Sequence, residues 1–292
     1  MLALIRWTQG FPDQAAQTAE SVLAAAEARS HPVSLRLALT SKPAGIILGG
    51  FDAADQQAAL RQARAQGIPV VGWQSAIWPG PEPKVGLFTN VTANPTEVAR
   101  LAASYVIAKS DGTAGVVILT DPQYAIETYK AGVMAAMLNN CQGCSVLQVL
   151  NVAIANALVD TPGVVTSLLH TYGKRLTYLL AVDGAYVTGA RAALFGAGIQ
   201  GDQPPFSVAA GDGDAAEFER IREGRYQLAT VAEPLYLEGW QLIDEINRAR
   251  AGQPPSGYVA PPHLVTQADV PSGAVFDPPS GYRANYLRIW RP

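Results

Sequence analysis

Ala44-Gly-Ile-Ile-Leu-Gly-Gly50, then a helix-forming run from Ala53 to Gln66, then Ile68-Pro-Val-Val-Gly-Trp73, is the stretch that decides the fold. The outer pieces are short apolar runs bounded by glycine or proline, as buried strands are, and the middle piece repeats its apolar residues at helical spacing. A strand, a helix and a strand in that order form a crossover unit, so the two strands lie parallel in one sheet.

The alternation continues in both directions. Lys84–Asn90 reads as a further strand and Pro95–Lys109 as a helix, and Ala114-Gly-Val-Val-Ile-Leu-Thr120 opens a second series. That series runs through helix Ala125–Leu138, strand Ser145–Asn151, a helix around Gly163–Tyr172 and strand Leu176–Val182. Helix Ala185–Gly196, strand Phe206–Ala210, helix Ala215–Glu223 and strand Leu228–Val231 follow. Each series makes its own α/β sandwich, and the turn-forming and capping residues of Asn90–Asn94 mark the break. Helix Tyr236–Ala251 carries Leu237, Trp240, Ile243, Asp244 and Ile246 at a helical period and is stopped by Gly252-Gln-Pro-Pro255. The tail from Pro254 is proline-rich and is expected to form an extended, packed strap held by Tyr282, Tyr286 and Trp290. At the other end Gln14–Arg29 and Pro32–Ser41 read as helices, leaving Leu2–Trp7 as the strand candidate.

Composition sets limits on function. The 292 residues, 49% of them apolar, suffice for two cores, and a net charge of -3 with 21 dispersed Lys and Arg excludes an electrostatic footprint for nucleic acid. No apolar run approaches the roughly 18 residues that a spanning helix needs, and Met1–Arg6 is too short and too soon charged for a signal peptide. The chain therefore reads as soluble, and the mature or truncated form of an exported protein fits as well. Cys141 and Cys144 lack the further ligands of a zinc site, and the CxxC pair follows a helix instead of opening one. A local disulfide across a helix-to-strand turn, in an oxidising compartment, is the expectation; two free thiols in a cytosolic turn is the alternative.

The chemistry is concentrated in Val208-Ala-Ala-Gly-Asp-Gly-Asp214 and Tyr226-Gln-Leu-Ala-Thr-Val-Ala-Glu-Pro234, where two apolar strands each end in a carboxylate. Open parallel sheets bind ligands at these carboxyl ends. The motifs of serine hydrolases, zinc proteases and phosphate-binding loops are missing, and His31, His170 and His263 lie in segments read as surface helix or tail, so no enzyme chemistry and no cofactor are expected.

Ser41–Asp52, Gly67–Gly72, Leu179-Leu-Ala-Val-Asp-Gly184, Ala209-Ala-Gly-Asp-Gly213 and Ala229-Thr-Val-Ala-Glu-Pro234 together resemble, in order and spacing, the type I periplasmic binding proteins. These are the sugar-binding components of bacterial ABC importers, related to the ligand domains of lactose-repressor-type regulators. The resemblance implies two Rossmann-like lobes with parallel sheets, joined by three crossing segments and closing over a small ligand. It sets the lobes at 1–91 with 236–263 and at 92–235 with 264–292, and it implies crossings near Asn90, Glu233–Leu235 and Pro262–Thr266. Family members begin with a full strand-helix-strand unit. Here that unit is abbreviated, either because the second strand is lost or because the whole unit is missing, and Phe11 in Thr8-Gln-Gly-Phe11 stands where the first ligand loop belongs.

By the same resemblance Gln74, Asp183, Asp212 and Glu233 contact the ligand, and Tyr129 replaces an arginine of ribose-binding relatives. Trp73 or Trp78 would cover an apolar sugar face, while carboxylates take hydroxyl donors in charge-assisted hydrogen bonds. Each residue has a plainer role open to it: Asp183 and Asp212 as helix caps, Glu233 paired with Arg225, the tryptophans as packing, Gln74 as loop. The implied function is solute binding for a membrane ABC permease, with a sugar or polyol as ligand, in a periplasmic monomer. A regulator's sensing domain and an amine-bearing ligand, the latter suggested by three acids without an arginine, are the alternatives.

Overall fold

The computed structural model describes residues 2–5, 12–22 and 35–291. The chain divides into two units, one built from the segment up to Asn94, Pro234–Pro261 and the segment from Asp277, the other from Pro95–Glu233 and Pro262–Phe276.

The first unit holds a five-stranded sheet in the order β1 (Leu2–Ile5), β2 (Gly45–Gly49), β3 (Val70–Trp73), β5 (Leu87–Val91), β4 (Gly80–Glu82). The three central strands are parallel and the two edge strands antiparallel. β2 is buried along its whole length, as a strand covered on both faces must be. The opening of the chain thus supplies an antiparallel edge to β2, with Leu2 opposite Leu48, and not the leading parallel strand of a crossover unit. Helices α1 (Pro12–Val22), α2 (Leu35–Thr40) and α3 (Gln57–Ala65) belong to this unit, and Leu35, Leu39, Ile46, Leu48, Leu60, Val70 and Leu87 share one core.

In the second unit six strands run in the order β11 (His263–Thr266), β10 (Gln227–Ala232), β9 (Phe206–Ala209), β8 (Tyr178–Ala181), β6 (Gly115–Thr120), β7 (Ser145–Asn151), all parallel except β11. Its helices are α4 (Pro95–Lys109), α5 (Ala125–Asn139), α6 (Ala157–Tyr172), α7 (Gly184–Gly196) and α8 (Ala215–Glu223). Helix α6 starts six residues before the expected Gly163 and runs through Pro162. A proline that early removes a single helical hydrogen bond near the start, which a helix packed on its neighbours tolerates. Among the described residues no helix is long and apolar enough to cross a membrane.

Helix α9 (Leu235–Arg250) returns to the first unit and buries almost every residue from Leu235 to Ile246. Its approach to β2 depends on Gly45, where an added Cβ would stand 2.6 Å from the Ile246 side chain. The tail differs from the expected extended strap. After β11 the chain crosses a fourth time, and Tyr282–Trp290 forms helix α10 within the first unit, not within the lobe to which 264–292 was assigned. No proline falls between Pro279 and Pro292, and Tyr282, Tyr286 and Trp290 recur there at intervals of four, which puts all three on one helical face.

That face meets Trp240 of α9, with Trp290 stacked on it at 5.2 Å between ring centroids and 7° between planes. Trp290 Nε1 also donates to Asp244 (2.8 Å), and Trp240 Nε1 donates to Glu20 of α1 (2.8 Å), which in turn accepts from Arg283. Two indoles and a guanidinium thus join three chain segments around buried polar partners. Trp290→Ala should destabilise the first unit by about 3 kcal/mol, the usual cost of deleting a buried tryptophan. Urea unfolding with an unchanged midpoint would show α10 to be an ornament.

Candidate functional site

Strands β8, β9 and β10 are neighbours in the second sheet and end on the same edge. Asp183 follows β8, Asp212 follows β9 and Glu233 follows β10, so one sheet edge carries three carboxyl groups from adjacent strands. The backbone ties two of these ends together, with Glu233 N–H donating to the carbonyl of Asp212 (3.2 Å). Glu233 is buried, whereas Asp183 and Asp212 are half-buried.

Asp183 caps helix α7, its Oδ1 accepting from the Ala185 N–H at 2.6 Å. The plainer role is therefore real for one of its oxygens and leaves the other for further work. Asp212 caps no helix: the N-cap of α8 is Asp214, in a capping box with Glu217. Burial, reinforced by the neighbouring Asp212, pushes Asp183 up to about 6. The charge of Asp212 thus reaches Asp183 across the strand ends.

The group that organises this edge is one the sequence reading passed over. Lys130 on α5 is almost fully buried, and its Nζ lies 2.8 Å from Glu127 Oε2, 2.8 Å from the Ala210 carbonyl and 3.3 Å from the Val182 carbonyl. The ammonium therefore donates to the carbonyls at the ends of β8 and β9 and forms an ion pair with one carboxylate. Burial works against that charge, but Glu127, Glu233 and Asp212 outweigh it and hold the lysine above its ordinary pKa. Glu127 is raised as well, which for a carboxyl disfavours the charged form: burial lifts it to about 7 against the opposing pull of Lys130, and Asp183 and Asp212 add to the rise. The signal was present in Glu127-Thr-Tyr-Lys130, because residues three apart on a helix are neighbours. Tyr129, which the resemblance singled out, is the next residue along; its hydroxyl lies 2.9 Å from Thr96 Oγ1 of α4.

In the first unit, Trp73 and Gln74 also stand at a strand end. Trp73 is buried and its Nε1 donates to Glu238 Oε2 of α9 at 2.8 Å, so its polar edge is already committed to the helix behind it. Gln74 has φ +50°, a backbone conformation few side-chain-bearing residues adopt, and its N–H donates to the Val91 carbonyl at 3.1 Å. Trp78 is exposed at 44%. Phe11 and His31 lie outside the described residues. Cys141 and Cys144 form a disulfide across the turn between α5 and β7. No group of three or more His, Cys, Asp or Glu is placed to hold a metal ion among the described residues.

A consequence for stability follows from the raised carboxyls. A carboxyl whose folded pKa lies above its ordinary value holds a proton in the folded chain after the unfolded chain has lost it, so stability falls as pH rises between the two values. For Glu127 that window runs from 4.5 to about 7, and for Asp183 from 3.8 to about 6. The unliganded chain should be harder to unfold in urea at pH 5 than at pH 8. Glu127→Gln should flatten the profile between those limits by roughly 2 to 3 kcal/mol. A profile of unchanged slope would mean that Glu127 carries its charge throughout.

Comparison with known proteins bears on the whole chain. No curated protein sequence matches it. Among solved structures, an ABC transporter solute binding protein from Bacillus halodurans C-125 with bound myo-inositol is similar, with TM-score 0.71 and 14% identity over 91% of this chain and 93% of that one. A glucose-galactose binding protein from Geobacillus stearothermophilus superposes with TM-score 0.73 and 14% identity, over 89% of this chain and 94% of that one. A solute binding protein from Agrobacterium vitis with bound D-fucose does so with TM-score 0.72 and 15% identity, over 93% and 98%. These likenesses identify the fold as the type I periplasmic binding architecture. The family model described as periplasmic binding protein domain matches residues 7–254, and the chain belongs to that family.

Proposed function

We propose that this protein is the solute-binding component of an ABC importer and that its ligand is a sugar or a polyol, bound without chemical change. The observation that carries this reading is the placement of Asp183, Asp212 and Glu233 at the carboxyl ends of three adjacent parallel strands. Vicinal hydroxyls match carboxylates spaced along such an edge, since each oxygen accepts from a separate O–H in a charge-assisted bond. The bound inositol and fucose of the similar solved structures support the same class of ligand.

Lys130 decides between this reading and an amine ligand. Three acids with no internal cation would favour a cationic guest, but a buried ammonium already lies among them. A second cation would meet like charge at close range, whereas neutral hydroxyls meet no such penalty. In this reading Asp212 and the free oxygen of Asp183 are the principal acceptors, while Glu127 and Lys130 hold the strand ends in place. Gln74, Trp73, Tyr129 and Phe11 are proposed as further contacts, of which Trp73 would offer only a ring face. The partner would be the membrane permease, the working form a monomer, and the compartment extracytoplasmic, where the Cys141–Cys144 disulfide persists.

A thermal-shift series with myo-inositol, D-fucose, D-allose, D-glucose and D-galactose, beside putrescine as the amine control, tests the proposal. At least one sugar or polyol should raise the melting temperature in proportion to occupancy. Asp183→Ala combined with Asp212→Ala should abolish the rise. Stabilisation that survives in the double variant removes both residues from the site, and a response to putrescine alone overturns the ligand class.

A further inference from the structure

At the opposite edge of the second sheet, where β9 and β10 begin, there is a cleft of about 990 Å³. Arg191 of α7, Arg220 of α8 and Arg225 before β10 line it, with Phe195, Ile199 and Tyr226 as its apolar wall. Asp183, Asp212 and Glu233 follow the far ends of the strands, so the proposed sugar site does not absorb this cleft.

Its central cation is unusual. Arg220 is only 5% exposed, and no carboxylate pairs with it among the described residues. Its Nε donates to Gln227 Oε1 at 2.9 Å, and the same amide passes its own N–H to Glu217 Oε1 at 2.7 Å. An uncharged amide thus stands where an ion pair would form, and Nη2 has no hydrogen-bond partner. Glu217 gives little compensation: burial, with Asp214 beside it, pushes that carboxyl up to about 8. Burial lowers the pKa of Arg220 against the opposing pull of Glu217 and Asp214, and the nearby Arg191 adds to the fall, although a guanidinium remains charged at any ordinary pH. An unpaired buried charge is costly, and an anion from solution would relieve that cost.

The walls are built for an occupant. Phe195 is 75% exposed, so its ring is open to contact by a molecule held in the cleft. Tyr226 is fixed at φ +62°, with its hydroxyl on the Ile199 carbonyl at 3.0 Å and its N–H on the Gly201 carbonyl at 2.7 Å. Gly201 leaves room for the Arg225 stem, which an added Cβ would meet at 2.9 Å. Asp202 and Glu223 also line the cleft, but both are exposed, and Glu223 stands 3.9 Å from Arg225. Exposed carboxylates at such distances are screened by water and do little for the buried guanidinium.

We propose that this cleft is a second ligand site, for a small organic anion whose carboxylate or phosphate head engages Arg220 and Arg191 and whose aromatic or alkyl body covers Phe195 and Ile199. The cavity volume lies at the upper end of the range for small-molecule sites. Such a ligand would bind independently of any sugar.

Calorimetric titration of the full chain at low ionic strength with phenyl phosphate, benzoate and inorganic phosphate tests it. Phenyl phosphate or benzoate should bind saturably at one equivalent, and whichever binds more tightly identifies the head group. Arg191→Ala should weaken that binding about tenfold, as loss of one charge-assisted contact does. Arg220→Gln should weaken it further, and Arg225→Ala, at an exposed position where substitution spares the core, serves as a second variant expected to weaken it. Asp183→Ala with Asp212→Ala should leave the phenyl phosphate isotherm unchanged while removing the sugar response. Absence of saturable binding, equal affinity in Arg191→Ala and Arg225→Ala, or loss in the double aspartate variant would overturn the proposal. Inorganic phosphate binding as tightly as phenyl phosphate would overturn the apolar half of it.

Discussion

The ammonium of Lys130 holds together everything at the carboxyl edge of the second sheet. Parallel strands leave unpaired carbonyls where they end, and buried polar groups of this kind need partners. Here the carbonyls of Val182 and Ala210 find them in a single lysine head, which also neutralises Glu127. One side chain thereby fixes the separation of the turns after β8 and β9, which carry Asp183 and Asp212. Taking a lysine head out of water costs several kcal/mol, and only the surrounding carboxylates and carbonyls make it tolerable.

The same arrangement separates two kinds of acid. Asp183 and Asp212 are half-buried, while Glu127 and Glu233 lie inside, where their charges help hold Lys130 above its ordinary pKa. In the proposed function, the acceptors offered at this end of the sheet have positions set beforehand by the Lys130 network. Preorganisation of that kind lowers the ordering cost of binding. It also makes this end of the sheet a poor place for a second cation.

The fold was readable wherever burial on both faces forced unbroken apolar runs. Ile46–Leu48, Val116–Leu119 and Leu179–Ala181 are fully buried in the structure and stand out in the sequence for the same reason. Reading failed where two signals competed. Pro162 is a helix breaker by rule, yet α6 contains it, because one missing hydrogen bond near a helix start is cheap. The tail was judged by its prolines, although Tyr282, Tyr286 and Trp290 already had the spacing of a helical face. The acids of the candidate site were legible as strand-end carboxylates, whereas Lys130 showed only as a partner for Glu127 three residues away, and a lysine in an apolar helix usually points to solvent. That Trp73 would find Glu238, 165 residues away, had no local signature at all.

The return of the tail to the first unit has a bearing on the order in which the molecule is finished. Chains are made from the amino end, and domains tend to fold as units while that happens. The second unit needs nothing beyond Phe276, but the first needs the segment from Asp277 to cover Trp240. The part that emerges earliest is thus completed latest, and until then an indole face stays open to water.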